Sequence, residues 1–387
     1  SWRGADIQNL LDFEKTYPNT TTILLEENYR STQTILSAAN TVIAKNKVRK
    51  EKNLFTKNKA GEPITVYEAY DEADEARFVS GTIQKLLDNG VAPRDIAILY
   101  RANFQSRAQE EALLNRNIPY QVLGVRFFDR KEIKDIVSFI KAGLNPDSLA
   151  DVKRVVNMPP RGIGKITLLK MFAGKDGSLP PTMRKRVDNF RSLLKNIGKN
   201  AVTLHLPELI KFVLQKTGME EKLRSGTEED KERLENIREL VTFSVKYQNL
   251  TPEEGIESFL SDVALATDQD ELEKDSNTVK LMTVHAAKGL EFKRVFITGL
   301  EQDLFPHKSF GTTTLDRGRE EEERRLFYVA LTRAEEKLYL SHAALRTIFG
   351  SKQVNIPSEF FEDIDDTLIE KEEGTGSETD LLPSIYV

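Results

Sequence analysis

A chain of 387 residues has room for two or three domains with sizeable cores, and 39% hydrophobic against 30% charged residues is a soluble, globular balance. Cysteine is absent, which excludes a disulfide framework and thiolate zinc or iron–sulfur sites; the four histidines, His205, His285, His307 and His342, are too scattered for a metal site, so no metal is expected. The net charge of −5 argues against a polyanion partner only if it is evenly spread, and between Lys153 and Lys199 twelve cations stand against two carboxylates, Asp176 and Asp188. That basic island reads as a polyanion footprint, with a solvated helical face as the competing reading. No apolar run approaches the ~18 residues of a membrane span and no export signal opens the chain, so a cytoplasmic location without membrane contact is expected. The start at Ser1 reads as a chain cut from something longer.

In chain order, β-branched or aromatic runs bounded by turn residues predict strands at 21–27, 64–70, 95–101, 279–285, 294–300 and 337–343. Helical patterns fall between them, at Asp74–Asp88, Ser106–Asn115 and Arg319–Glu335, and strands alternating with helices predict a largely parallel sheet covered on both faces. From about Asp129 to Asp275 almost nothing reads as strand. The stretches 131–144, 207–218, 228–247 and 251–266 are amphipathic helices, the last with Thr251 as N-cap, Pro252 in the first turn and Glu254 completing a capping box. An all-helical domain inserted into an α/β domain follows. After about Phe361 the chain turns acidic, Gly/Ser-dotted and non-periodic, which predicts a disordered tail ending in an apolar "LLPSIYV".

The stretch "GIGKIT" (162–167) invites a phosphate-loop reading that fails three times. Pro159 stands where the first glycine belongs, Ile166 stands where a Mg²⁺-holding Ser or Thr belongs, and the stretch follows a helix where a strand is needed. A Gly-Ile-Gly turn between helices fits better. Its glycines admit a close partner, the next helix offers N–H groups to an anion, and Arg161 and Lys165 would make a DNA phosphate the ligand. Glycines needed only for helix packing are the alternative. Elsewhere, "ENYRST" (27–32) sets an aromatic ring and a guanidinium just after a predicted strand, "TVHAAKGLEF" (283–292) is a strand and turn, and "ERRLFYVALTRAEEKL" (323–338) is a helix with Arg333 near its end. Two arginines on a γ-phosphate are a means of stabilising phosphoryl transfer. Singly, each arginine is more often a salt-bridge partner.

Together and in order, "SWRGA", "LEENYRST", "ILYRANFQSR", "GVRFFDRKEIKD", "PPRGIG", "TVHAAKGLEF" and "RRLFYVALTRAEEKL" closely resemble the UvrD/PcrA/Rep family of superfamily 1A DNA helicases, from Ser1 to about Phe361. The resemblance implies a RecA-like domain 2A of the P-loop NTPase superfamily, carrying an inserted helical domain 2B. Its boundaries would be 1–26 for the tail of domain 1A, 27–123 and 277–361 for 2A, 124–276 for 2B and 362–387 for the tail. It implies ATP-driven 3′→5′ movement on single-stranded DNA with duplex unwinding, in repair or replication. Carried over, Tyr29 would stack the adenine, Arg30 and Arg333 would contact the γ-phosphate as catalytic residues, Gly289 would line the nucleotide cleft and Glu291 would meet the ribose. Trp2, Arg3, Arg101, Arg107, His285 and Lys288 would lie along single-stranded DNA, and Arg161, Gly162, Ile163, Gly164 and Lys165 would touch the duplex. Phe349, in "LRTIFGS" (345–351), would stack on the last base pair, with an ordinary core aromatic as the equal alternative.

The family's Walker A loop, its Mg²⁺-binding Asp-Glu pair and its catalytic glutamine have no counterpart in these residues. The expectation is therefore a C-terminal half, inactive alone, that uses ATP and Mg²⁺ only with the N-terminal half (1A/1B), whose partners are single-stranded and duplex DNA. Repair or transcription proteins meeting 2B or the acidic tail, and a bacterial, nucleoid-associated location, complete that reading. A non-enzymatic duplex-binding or protein-docking module on a helicase scaffold is the alternative, and a nuclease fusion finds no support.

Overall fold

The computed structural model describes residues 13, 16, 17, 19–21, 23–47, 54–268, 277–308 and 317–373. Seven strands form one sheet: β1 (Ile64–Ala69), β2 (Ile96–Tyr100), β3 (Tyr120–Val122), β4 (Val279–Thr283), β5 (Phe292–Ile297), β6 (Ala334–Ala343) and, from the acidic end of the chain, β9 (Ile369–Glu373). The order is β3-β4-β2-β5-β6-β1-β9 and every neighbouring pair is parallel. Strand β2, central and buried on both faces, is wholly apolar (Ile96, Ala97, Ile98, Leu99, Tyr100), as a parallel strand covered on both sides must be. The helices α1 (Gln33–Ala44), α2 (Glu72–Asp88), α3 (Ser106–Asn115) and, late in the chain, α12 (Arg317–Leu331) accompany this sheet. This is the parallel sheet with accompanying helices that the alternating strand and helix patterns predict, and it agrees with the RecA-like domain that the resemblance implies.

The chain divides into two compact units, one gathering Ser1–Leu123, Ser276–Arg346 and Val354–Val387, the other Gly124–Asp275 and Thr347–Gln353. The second unit is helical: α4 (Lys131–Leu144), α5 (Leu149–Val155), α6 (Lys165–Phe172), α7 (Pro181–Ala201), α8 (Leu206–Lys216), α9 (Met219–Arg224), α10 (Glu228–Ser244) and α11 (Pro252–Asp268). They share one apolar core that includes Ile136, Phe139, Phe190, Leu209, Ile237 and Phe259. Gly143 and Gly198 let α4 and α7 cross closely, since a Cβ at 198 would fall 2.4 Å from the Gly143 carbonyl oxygen. The tip of a two-stranded ribbon, β7 (Leu345–Ile348) and β8 (Ser351–Val354), also groups with the helices.

Three expectations are corrected. Residues 21–27 form no regular strand among those described; only an isolated bridge joins Glu27 to Phe55, and Ile23 and Leu25 are exposed, so the apolar run finds no sheet to enter. The acidic stretch after Phe361 does not stay disordered from its start. Ile369–Glu373 pairs in parallel with β1, and its charges suit an edge strand open to water on one side. The remaining tail, 374–387, lies outside the described residues, as do Trp2 and Arg3. Finally, α12 stops at Leu331 and the chain turns into β6 at Ala334, where a helix to Glu335 was expected. Among the described residues no helix is long and apolar enough to cross a membrane.

Candidate nucleotide and nucleic-acid sites

The segment around Tyr29 and Arg30 is shaped by one asparagine. The Asn28 side-chain oxygen accepts the N–H groups of Arg30 (2.8 Å) and Ser31 (2.9 Å), a local turn typical of Asn. Ser31 Oγ then donates to the Ala334 carbonyl (2.8 Å) and the Thr32 N–H to that of Glu335 (3.0 Å), pinning the turn to the start of β6. Asn58 closes it from the other side, donating to the carbonyls of Tyr29 (3.2 Å) and Ser31 (3.1 Å). The Tyr29 ring is left 78% exposed, its hydroxyl donating to Glu27 Oε2 at 3.1 Å, and Glu27 in turn pairs with Lys57 at 2.9 Å. An exposed ring held at a fixed turn can stack on a planar ligand.

Two guanidiniums meet at Thr332. Arg30 donates to the Thr332 carbonyl (3.4 Å) and pairs with Glu291, whereas Arg333 donates to the Thr332 hydroxyl (3.2 Å) and to the carbonyls of Val329 (3.0 Å) and Leu290 (2.9 Å). Burial, and then the charge of Arg30, press on the Arg333 guanidinium and lower its pKa from the usual value. Glu335, half-buried near Glu291, has its carboxyl pushed up by burial first and by that neighbour second. Gly289 sits at φ +95°, a left-handed turn after β4 that favours glycine; nothing crowds its α-carbon, so the backbone and not space requires it. The Phe292 N–H donates to the Arg333 carbonyl (3.0 Å), tying the end of this turn to the arginine's main chain. Five of the expected nucleotide residues, Tyr29, Arg30, Gly289, Glu291 and Arg333, therefore lie on three neighbouring segments. The fit to ATP rests on the converging guanidiniums, which suit a phosphate chain. Among the described residues no group of three or more His, Asp or Glu could hold a metal ion.

The expected DNA-facing residues are less uniform. Arg101 forms a fork with Glu323 (2.7 and 2.8 Å), and both side chains are largely covered. Burial raises the Glu323 carboxyl, but the hydrogen bond from Arg101 and its charge outweigh it, leaving a lowered pKa. Arg107 is buried and pairs with Glu111 at 2.9 Å. His285 is half-buried, its pKa lowered by burial first and by Arg101 second, which favours the neutral ring. Lys288 is exposed on the turn before Gly289. Phe349, at φ +55° on the ribbon tip, packs partly buried against the helical core, with Lys211 Nζ 5.2 Å and Arg238 Cζ 5.3 Å from its ring centre.

At the Gly-Ile-Gly turn, Arg161 points the other way from expectation. Its guanidinium donates to the carbonyls of Val155 (3.3 Å), Val156 (3.4 Å), Met158 (2.8 Å), Pro159 (3.2 Å) and Thr217 (3.2 Å). It also lies between the rings of Phe139 and Phe190, 5.7 and 5.6 Å from their centres, and burial lowers its pKa. So placed, it braces the turn and does not reach out to a phosphate. Ile163 is likewise buried. The turn's organiser is Asn157, unmarked in the sequence reading: its side-chain oxygen accepts the N–H groups of Arg161 and Ile163 (both 3.1 Å) and its amide donates to the Ile163 carbonyl (2.6 Å). Gly162 (φ +70°), Gly164 and Lys165, the first residue of α6, stay exposed.

The pattern of the UvrD-like helicase C-terminal domain family matches residues 23–344. An ATP-dependent DNA helicase PcrA of Staphylococcus aureus (strain MRSA252) is 45% identical over 392 residues, covering 95% of this chain and 53% of that protein. An ATP-dependent DNA helicase PcrA of Staphylococcus epidermidis (strain ATCC 12228) is 42% identical over 397 residues, covering 98% and 54%. The chain thus spans about half the length of these curated relatives. The C-terminal domain of a possible DNA helicase from Lactobacillus plantarum WCFS1 aligns over 89% of this chain and 98% of that one at 11% identity, with a TM-score of 0.37, too distant a likeness to carry weight.

Proposed function

The chain belongs to the UvrD-like helicase C-terminal domain family, and from that membership we propose that it is the C-terminal motor half of an ATP-dependent 3′→5′ DNA helicase serving DNA repair or replication. The observation that carries the reading is the meeting of Arg30 and Arg333 at Thr332, beside the exposed ring of Tyr29. In this reading the ring stacks on adenine and Glu291 leaves its pairing with Arg30 to meet the ribose. The freed guanidinium and that of Arg333 then neutralise charge building on the γ-phosphate. Thr332 and the main chain hold both arginines in place beforehand, so little reorganisation is needed at the moment of reaction. The phosphate-binding loop and the Mg²⁺ ligands come from the rest of a longer protein. Lys288, His285 and the Gly162–Lys165 turn face DNA, single-stranded in the first two cases and duplex in the last.

The test is ATP hydrolysis with single-stranded DNA, by this chain alone and after addition of an N-terminal half taken from a relative. No turnover alone and turnover on mixing is the expected result. Hydrolysis by the chain alone would show that the phosphates are cradled within it, and the reading would fail. Tight duplex binding with no turnover under either condition would favour a non-enzymatic docking module.

A further inference from the structure

With Arg161 turned inward, the glycine turn needs another cation if it is to hold a phosphate, and the fold supplies one from a different helix. Arg186 of α7 reaches across the turn, its Nη1 donating to the Gly162 carbonyl at 3.3 Å while the residue stays exposed. A Cβ at position 162 would fall 2.4 Å from that nitrogen, so the guanidinium lies directly over the bare α-carbon of Gly162. Gly162, at φ +70°, thus serves both the backbone turn and the seat of the arginine. Lys165, exposed in the first turn of α6, stands three residues further on. A guanidinium presents several N–H donors in one plane, so one bonded to a carbonyl still has others for a phosphate oxygen.

We infer that Arg186, not Arg161, is the guanidinium that the Gly162–Lys165 turn presents to a duplex phosphate. The inference rests on the proposed duplex-facing role of that turn and deepens it. The two arginines divide the work. Arg161 braces the loop from within, through main-chain carbonyls, and Arg186 extends the loop's outer surface. The pair sits 25 positions apart in the sequence, on opposite sides of one turn.

The test is binding of the 387-residue chain to a blunt DNA duplex, followed by fluorescence anisotropy at several salt concentrations. Each phosphate contact adds about 0.9 to the slope of log affinity against log salt. Arg186→Ala should flatten that slope by about one contact, while Arg186→Lys, which keeps the charge, should largely preserve it. Arg161→Ala should lower the melting temperature and leave the slope unchanged. Lys165→Ala reports on the turn itself. If Lys165→Ala flattens the slope and Arg186→Ala does not, the turn binds the duplex but the assignment of Arg186 is wrong. If neither changes it, or the unaltered chain binds no duplex, the duplex-facing role of the turn fails and this inference with it. A flatter slope for Arg161→Ala with the melting temperature retained would also overturn it.

Discussion

Two arginine-bearing corners of this protein look alike in sequence and differ in what surrounds the guanidinium. At Thr332 two arginines from distant segments converge, Arg30 is paired with Glu291, and burial first and the charge of Arg30 second lower the pKa of Arg333. At the glycine turn Arg161 is the only guanidinium turned inward, and it is satisfied by five main-chain carbonyls and two aromatic rings. Both are anchored by backbone oxygens, so anchoring alone does not separate them. The difference is electrostatic. A like-charge pair is held together against its own repulsion and gains from an arriving anion, whereas a solitary, enclosed guanidinium gains from the fold itself.

The comparison breaks most readily at the first corner. If the proposed role holds, then in the chain combined with the N-terminal half of a relative Arg30→Ala or Arg333→Ala should cut ATP turnover by roughly 10³-fold or more, as loss of an arginine finger does, with the melting temperature little changed for the half-buried Arg30. Near-normal turnover in a steady-state assay would remove them from the site. At the second corner, Arg161→Ala should destabilise the helical unit by about 2–3 kcal/mol, the loss of charge-assisted bonds to several carbonyls, seen in denaturant unfolding. A stability within about 0.5 kcal/mol of the unaltered chain would show that Arg161 is not the brace described here. Smaller effects sharpen the contrast. Tyr29→Ala should raise the KM for ATP up to about tenfold, the order of one lost aromatic stack, without altering the fold of an already exposed site. Thr332→Val removes only the hydroxyl bonded to Arg333, and a drop in kcat of about threefold at constant KM is expected from loosened positioning. A Thr332→Val enzyme with unchanged kcat would leave the main-chain contacts as sufficient support.

Much of this was legible in the sequence. The wholly apolar run Ile96–Tyr100 could only be a strand buried on both faces, and the helix over 131–144 begins and ends where its amphipathic pattern does. Tyr29, Arg30, Gly289, Glu291 and Arg333 were assigned through ordered motifs, and they lie together. The direction of a long side chain was not legible. Nothing in "PPRGIG" says that Arg161 faces carbonyls, because a carbonyl is present at every position and leaves no mark in the sequence. Arg186 was overlooked for the converse reason, being one cation among twelve in the basic island and distant from the turn it overlies. The last strand was missed because acidic composition is read as disorder, yet an edge strand needs only backbone pairing on one side, and β1 provides it.

The neighbouring strands β3 and β4 pair in parallel, yet the whole helical excursion from Gly124 to Asp275 lies between them in sequence. Parallel neighbours always need a return path of a dozen or more residues, so in effect the helical unit is one crossover connection grown to the size of a domain. Both ends of that connection enter paired strands of the sheet, β3 before it and β4 after it. A descendant could therefore exchange this unit for a single helix and keep the sheet, and with it the meeting of Arg30 and Arg333.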